Sequence, residues 1–200
     1  MTRLSERTPS TINNHQLSIV ALTMTLLFSI GHATAGQVIV TPDDDWSAAK
    51  KENRTNDNAD GPITCESNKV MIGRQHDGDE NGNTQHKCAS VKQNDTVLTV
   101  GPKSTHDISK ESTEYKFECP DNKVLVGRGH QGDENGSTKY YCAQVMSAGN
   151  NPLQVGNRTW SADIKESGSD YTCPSGQVMA GRGHKGDENG ATWYQCAMLE

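Results

Sequence analysis

Three times the chain repeats one pattern, whose first copy reads Cys65-Glu-Ser-Asn-Lys-Val-Met-Ile-Gly-Arg-Gln-His-Asp-Gly-Asp-Glu-Asn-Gly-Asn-Thr-Gln-His-Lys-Cys88. The other copies run from Cys119 to Cys142 and from Cys173 to Cys196, so the two cysteines of every copy are 23 positions apart. Matched positions in successive copies are 54 residues apart. A period of this length is typical of repeated supersecondary units. The repeat therefore predicts three modules at residues 37–92, 93–146 and 147–200. Residues 1–35 precede the modules and are predicted to be a signal peptide.

The segments before these copies repeat more loosely. The sequence from Trp46 to Glu52 resembles the sequence from Trp160 to Glu166, and residues 105–111 form a middle version without the tryptophan. The first module also carries an additional polar stretch, Asn53 to Gly61, which is typical of a surface loop.

The local pattern indicates short β-strands in every module. Each copy contains an apolar run, such as Val124 to Val126, between a turn signal and a glycine-rich loop. No stretch of the repeats shows an apolar stripe with the 3.6-residue helical period. Four short strands in each of three modules predict an all-β fold with a pseudo-threefold, β-trefoil- or β-prism-like arrangement. A linear array of small β-modules is the alternative.

The composition excludes several protein classes. Of 200 residues only 32% are hydrophobic, 19 are glycine and six are cysteine, and the formal net charge is −6. A large α/β enzyme with a single core is unexpected at this apolar content. A nucleic-acid-binding protein requires a basic surface, so no nucleic acid is expected as a partner. Small units with little apolar material commonly depend on disulfides.

The N-terminal segment has the features of a signal peptide. Arg3 and Arg7 precede an apolar run from Leu17 to Ile30, and Ala33-Thr34-Ala35 supplies a small-x-small cleavage site. The run is shorter than the roughly 20 residues that a membrane-spanning helix requires. We expect cleavage near Ala35, no membrane span in the mature chain, and a secreted, periplasmic or extracellular location.

Two disulfide pairings respect the repeat. One closes each module, as Cys65–Cys88, Cys119–Cys142 and Cys173–Cys196, and this pairing is favoured because a unit must fold before and after its duplication. The other joins neighbouring modules, as Cys88–Cys119 and Cys142–Cys173, with Cys65–Cys196 closing a ring. The favoured pairing requires cysteines at strand ends or on a strongly twisted sheet, since a bridge spans at most about 7 Å between Cα atoms.

The repeated loop Gly-Arg-x-His-x-Gly-Asp-Glu-Asn-Gly-x-Thr is the candidate functional site. Guanidinium, carboxylate and amide groups can bond neighbouring sugar hydroxyls, and an aromatic ring can contact the apolar face of a sugar. We therefore predict a multivalent, lectin-like protein that binds a glycan or another extracellular polar ligand, with avidity from three sites. The candidate ligand-binding residues are Arg74, His76, Asp79, Glu80, Asn81, His86, Arg128, His130, Asp133, Glu134, Asn135, Tyr140, Arg182, His184, Asp187, Glu188, Asn189 and Tyr194.

Three alternatives remain for this loop. Asn-Gly and Asp-rich sequences form turns, so the loop can be purely structural. Asp77, Asp79 and Asn81 match the beginning of a calcium-binding pattern, although the other copies carry Gln131 and Lys185 at its first position. Calcium is thus an optional cofactor of an extracellular structural protein, and no other cofactor is required. Neighbouring histidine and carboxylate groups also suit a glycan-acting hydrolase, but one active site would suffice, so binding is favoured over catalysis.

Overall fold

The computed structural model of the protein describes residues 36–52, 61–79, 82–110, 113–133 and 135–200. The predicted signal peptide and most of the additional polar stretch lie outside these residues. Every helix or strand among the described residues is a β-strand, so the all-β prediction is confirmed. The strands are β1 (Val38–Pro42), β2 (Lys50–Lys51), β3 (Ile63–Thr64), β4 (Lys69–Asp77), β5 (Asn83–Gln93), β6 (Thr96–Val97), β7 (Thr99–Val100), β8 (Ser104–Ile108), β9 (Tyr115–Glu118), β10 (Lys123–Gln131), β11 (Ser137–Met146), β12 (Val155–Trp160), β13 (Ile164–Lys165), β14 (Ser169–Thr172), β15 (Val178–Lys185) and β16 (Ala191–Leu199).

The strands form three antiparallel sheets, each built on one long hairpin. The first sheet has the order β1-β5-β4-β14, and β2 and β6 also pair with β5. The second has the order β3-β10-β11-β7, with β8 paired to β11, and the third has the order β12-β16-β15-β9, with β13 paired to β16. The hairpins β4–β5, β10–β11 and β15–β16 are the three repeated cysteine-to-cysteine segments. The repeat in the sequence therefore corresponds directly to the repeat in the structure.

Each hairpin receives an edge strand from another module. Strand β3 of the first module pairs with β10, β9 of the second pairs with β15, and β14 of the third pairs with β4. The donation runs from the first module to the second, from the second to the third, and from the third back to the first. Each sheet thus contains strands of at least two modules, which a linear array of self-contained modules would lack.

A glycine in each hairpin permits this close pairing. Gly127 lies opposite Thr64 of the donated strand, and a Cβ atom at Gly127 would lie 2.7 Å from the Ile63 carbonyl oxygen. Gly73 and Gly181 occupy the equivalent positions, and each directly follows a β-bulge. The glycine before each repeated arginine is therefore required by the neighbouring backbone.

The three bulges also bind the cysteine that follows each donated strand. The backbone N–H of Cys65 donates to the Val126 carbonyl at 2.8 Å, and the equivalent bonds of Cys119 and Cys173 are 2.9 and 2.8 Å long. The carbonyl of each bulge residue, which the hairpin register skips, thus accepts a hydrogen bond that fixes the end of the incoming strand.

The disulfides follow the pairing within modules. Cys65–Cys88, Cys119–Cys142 and Cys173–Cys196 have Cα–Cα distances of 5.8, 5.8 and 5.7 Å. Because the first cysteine of each pair follows a strand donated to a neighbouring sheet, every bridge also connects two sheets. This placement at a strand end satisfies the distance limit that strands flanking a common partner would exceed.

The interior contains two apolar clusters. One is aliphatic and takes residues from all three modules, including Val70, Val124 and Val178. The other contains the disulfide sulfurs, methionines and aromatic rings, including Met71 and Tyr194. No helix in the described part of the chain is long and apolar enough to cross a membrane.

Candidate functional site

The described residues of the three hairpin loops share two backbone features. Gly78, Gly132 and Gly186 have φ values of 99°, 101° and 89°, a region that favours glycine. The carbonyls of Asp79, Asp133 and Asp187 accept hydrogen bonds of 2.7 to 2.8 Å from the N–H groups of the glycines three positions later. The recurrent glycines and the first aspartate of each loop therefore form the same turn contacts in all three copies.

Aspartate side chains stabilise two of these turns directly. The Oδ1 atom of Asp133 accepts a bond of 3.0 Å from the backbone N–H of Asn135, and Asp187 accepts one of 2.9 Å from Asn189. Such bonds are typical of Asx turns. The structural interpretation of the loop thus accounts for its glycines and for one oxygen of each of these two aspartates.

The repeated histidines support the loops from the interior. His76 and His130 bind the carbonyls of Asp79 and Asp133 through Nε2 at 2.7 and 3.1 Å. His76 is 4% exposed, and burial, assisted by the charge of Arg74, lowers its pKa to about 4. The ring is therefore neutral at pH 7, so Nε2–H donates to the loop carbonyl and Nδ1 accepts from the Thr84 hydroxyl, 2.8 Å away.

The repeated arginines converge in the interior, where they meet two glutamates. We call Arg74, Arg128, Arg182, Glu52 and Glu166 the buried charged cluster; all five residues are less than a tenth exposed. Glu166 accepts bonds from Arg74 at 3.0 Å and from Arg182 at 2.6 Å. Glu52 pairs with Arg128 and lies 3.5 Å from Arg74. Two of these pairs join different modules, because Glu166 of the third module binds Arg74 of the first, and Glu52 of the first binds Arg128 of the second.

Burial and neighbouring charges have opposite effects on the pKa of Glu166 and the same effect on the pKa of Arg128. Burial alone would raise the pKa of Glu166, but Arg182 and Arg74 hold it well below its usual value. Burial and the nearby Arg182 lower the pKa of Arg128 to about 10. Both groups therefore remain charged at pH 7, and the pairing compensates for the loss of hydration.

The aromatic positions after the loops also lie inside. Tyr194 is 0% exposed, stacks on Tyr171 with ring centroids 5.0 Å apart, and accepts a bond from Arg74 through its hydroxyl. Tyr140 stacks on Phe117 at 4.3 Å. His86, the third residue of this set, is buried and binds Glu52.

The structure thus divides the predicted ligand-binding residues into three groups. Those in the interior are Arg74, Arg128, Arg182, His76, His130, His184, His86, Tyr140 and Tyr194. Those at the loop surface are Asp79, Asp133, Asn135, Asp187, Glu188 and Asn189. Glu80, Asn81 and Glu134 lie outside the described residues. The role of all of them in ligand binding stays a prediction.

The calcium prediction has no further support in the structure. Asp77 and Asp79 are exposed at the first loop, whereas Asn81 lies outside the described residues. The described residues contain no group of three or more His, Cys, Asp or Glu side chains arranged to hold a metal ion. Calcium binding therefore remains untested.

Sequence reasoning missed Glu52 and Glu166 as the buried partners of the repeated arginines. The signal that could have identified them is the loose repeat that begins at Trp46 and Trp160, since both copies end in a glutamate. Three arginines kept in an apolar-poor chain require carboxylate partners if they are buried.

A polar cavity of about 320 Å³ lies beside the first loop. Gln75 and Asp77 of β4, Gln85 of β5, and Asp170 of the donated strand β14 line its wall. Ala49, His76, Asn83, Gly168 and Ser169 complete the lining. The lining thus combines amide-bearing and carboxylate-bearing residues from two modules.

Comparison with known proteins found no matching family, no matching curated protein and no matching solved structure.

Proposed function

We propose that the protein is an exported carbohydrate-binding protein, and that its principal site is the polar cavity beside the first loop. The observation that carries this proposal is the lining of that cavity. Gln75 and Asn83 each carry both donor and acceptor atoms, and Asp77 and Asp170 carry acceptors. The Nε2 of Gln85 donates to the Ser47 carbonyl at 2.7 Å, so this residue adds its amide oxygen as an acceptor. A sugar ring presents hydroxyls that both donate and accept, so this mixed lining is complementary to it.

The size and position of the cavity support the same function. A volume of about 320 Å³ is at the lower end of the range of small-molecule sites and suits a single sugar residue. Its walls belong to a rigid hairpin and to a donated strand, while Asp170 and Asp77 remain exposed to solvent. The buried histidine beneath the loop fixes the orientation of the surrounding backbone.

The proposal includes a pseudo-threefold, prism-like arrangement and export through the predicted signal peptide. The cyclic donation of strands and the shared buried charged cluster support a common axis, and three disulfides are compatible with an extracellular location. The equivalent loops of the second and third modules share the glycine φ values and the turn hydrogen bonds of the first, which supports additional, weaker sites. Their flanking residues differ, since Gln85 corresponds to Lys139 and Trp193.

A glycan array probed with the mature chain, residues 36–200, tests this function. We expect binding that survives EDTA and is lost at least tenfold in Asp170→Asn, because a hydrogen bond to a charged group contributes about 1.5–3 kcal/mol. Asp121→Asn removes the same charge from an exposed turn and should bind like the wild type. Absence of glycan binding both with and without EDTA would overturn the proposal. Binding that requires calcium would instead favour the metal-dependent alternative.

A further inference from the structure

We propose that the Cys65–Cys88 disulfide is a thiol–disulfide exchange site, at which a small neutral dithiol reduces the folded protein. The Cys119–Cys142 and Cys173–Cys196 bridges occupy the equivalent positions of the other modules and serve as internal references. Two features set the first bridge apart, namely its access to solvent and the short strand that it holds. This site does not depend on the proposed function.

The first bridge is the most accessible of the three. Cys65 is partly exposed, whereas the other bridged cysteines are buried. A thiolate must reach a sulfur atom before it can react, so the rate of exchange depends on access. The cysteines of the other two bridges are at most 7% exposed, and they are Cys119, Cys142, Cys173 and Cys196. A reagent therefore reaches the first bridge without unfolding of the chain.

Two cavities border this bridge. Cys65 lines one of about 330 Å³, and both Cys65 and Cys88 line another of about 610 Å³ beside Trp46. These volumes lie in the range of small-molecule sites, so a small dithiol can enter. The third bridge is shielded instead, because the Tyr171 hydroxyl lies 3.5 Å from the Cys196 sulfur.

The charges of the larger cavity determine which thiol suits it. Its lining contains four carboxylates and one ammonium group, that of Lys69. Lys69 pairs with Asp43 at 3.1 Å and with Glu66 at 2.9 Å, so the carboxylates of Asp44 and Asp45 remain in excess. A negatively charged thiol such as glutathione is repelled from this wall, whereas a neutral dithiol is not.

The exchange proceeds in two balanced steps. One thiolate of the dithiol attacks the Cys65 sulfur, because Cys65 is the more exposed partner. The bond between the two protein sulfurs breaks, and Cys88 leaves as a thiolate that takes up a proton. The second thiol of the reagent, after losing its proton, attacks the mixed disulfide and releases the Cys65 thiolate, which is protonated in turn. The protein gains two electrons and two protons, and the dithiol becomes a cyclic disulfide.

Reduction of this bridge releases the shortest donated strand. Strand β3 pairs with β10 through Ile63 and Thr64, whereas β9 and β14 have four residues each. The disulfide holds the end of β3 on the first hairpin, and an isolated ladder of two residue pairs is weak. Ile63 lies opposite Arg128 of the buried charged cluster. Separation of β3 from β10 therefore opens the contact between the first and second modules beside this cluster.

Reduction of the folded protein tests this site. The mature chain, residues 36–200, is incubated with dithiothreitol without denaturant, thiols are blocked with iodoacetamide at intervals, and the blocked cysteines are located by mass spectrometry. We expect Cys65 and Cys88 to be reduced at least about tenfold faster than the cysteines of the other two bridges. In urea that unfolds the chain, the three bridges should react at similar rates. The site is disproved if all three bridges react together in the folded protein, if another bridge reacts first, or if the first bridge keeps its lead in urea.

Hydrogen exchange tests the release of β3. The amides of Cys65 and Cys119 bind carbonyls of the neighbouring sheets at 2.8 and 2.9 Å, so each reports on the end of one donated strand. In Cys65→Ser/Cys88→Ser we expect the amide at position 65 to exchange at least about tenfold faster relative to that of Cys119. In the matched control, Cys173→Ser/Cys196→Ser, the ratio of the two rates should equal that of the wild type. An unchanged ratio in the first variant would overturn the release of β3. If that variant does not fold, wild-type protein blocked at Cys65 and Cys88 provides the same measurement.

Discussion

Arg74 shows how an interior can be built from residues that normally lie at the surface. Its guanidinium is 1% exposed, yet it contacts Glu166, Glu52 and the Tyr194 hydroxyl. A buried ion pair adds little net stability, but a single buried charge without its partner is strongly destabilising. The arginines and glutamates of the cluster are therefore interdependent.

Replacing Glu166 tests this interdependence. Glu166→Gln leaves the guanidinium groups of Arg74 and Arg182 without the carboxylate that bridges them. We expect the free energy of unfolding to fall by about 3 kcal/mol or more, measured by urea denaturation. Glu114→Gln is the control, because Glu114 forms an exposed ion pair with Lys185 and its loss should cost less than about 1 kcal/mol. Equal effects of the two substitutions would contradict a structural role of the cluster.

His76 makes the stability depend on pH. The unfolded histidine titrates near pH 6.5, whereas burial lowers the pKa in the folded state to about 4. Between these values the unfolded chain binds the proton more readily, so the free energy of unfolding falls as the pH drops from 6.5 to 4. The contribution of this one group is about 3 kcal/mol. Urea denaturation at several pH values measures the loss, and an imidazole resonance of His76 that titrates near pH 6.5 in the folded protein would disprove the cause.

The repeated arginines and histidines could be identified from the sequence, but their position in the interior could not. The β-bulge between Met71 and Gly73 shifts the alternation of the strand by one residue, so Arg74 and His76 lie on the face of Met71 and not on that of Val70. A strict period of two would place them beside Val70, so the sequence pattern alone does not identify their face. A polar motif kept in triplicate is compatible with a ligand site and with an interior network alike. These two roles are distinguished only by the position of Glu52 and Glu166, which are distant in the sequence but lie beside the arginines in the structure.

The pairing of the exchanged strands with another module could not be predicted from the sequence, although the run from Tyr115 to Cys119 indicates a strand there. Strand β3 has two residues, and β9 and β14 have four each, which is too short for a reliable alternation pattern. Their partners lie in another module, so no local turn fixes the register. The longer hairpins, by contrast, follow from the apolar run, the glycine-rich loop and the cysteine spacing of every repeat.

Gly127 tests whether the close approach of β3 is essential. In Gly127→Ala the new methyl group would meet the Ile63 carbonyl oxygen at 2.7 Å, so the donated strand must move. We expect a loss of about 1–3 kcal/mol in the free energy of unfolding and faster hydrogen exchange at the Cys65 amide, which binds Val126. Gly101→Ala is the control, since its nearest atom would lie at an ordinary 3.6 Å. Unchanged exchange at Cys65 in Gly127→Ala would contradict this view of the interface.

At the scale of the whole molecule, strand exchange links the stability of the three modules. Every sheet needs a strand from another module, every disulfide connects two sheets, and both glutamates of the buried charged cluster pair with arginines of two modules. A short repeat with little apolar material thereby shares one interior with its neighbours. Loss of one module would expose an unpaired strand edge and an uncompensated charge in another.

We therefore expect the mature chain to unfold in one cooperative transition. Trp46 belongs to the first module, whereas Trp160 and Trp193 belong to the third. The tryptophan fluorescence of Trp46→Phe therefore reports on the third module, and that of the Trp160→Phe/Trp193→Phe double variant reports on the first. Both signals should change at the same urea concentration as the far-ultraviolet circular dichroism, which is the criterion for a two-state transition. An array of independent modules, in which each repeat contacts only its sequence neighbours, would give separable transitions. Coincident midpoints would show that closing the ring, through β14 of the third module on β4 of the first, contributes to the stability of all three modules at once.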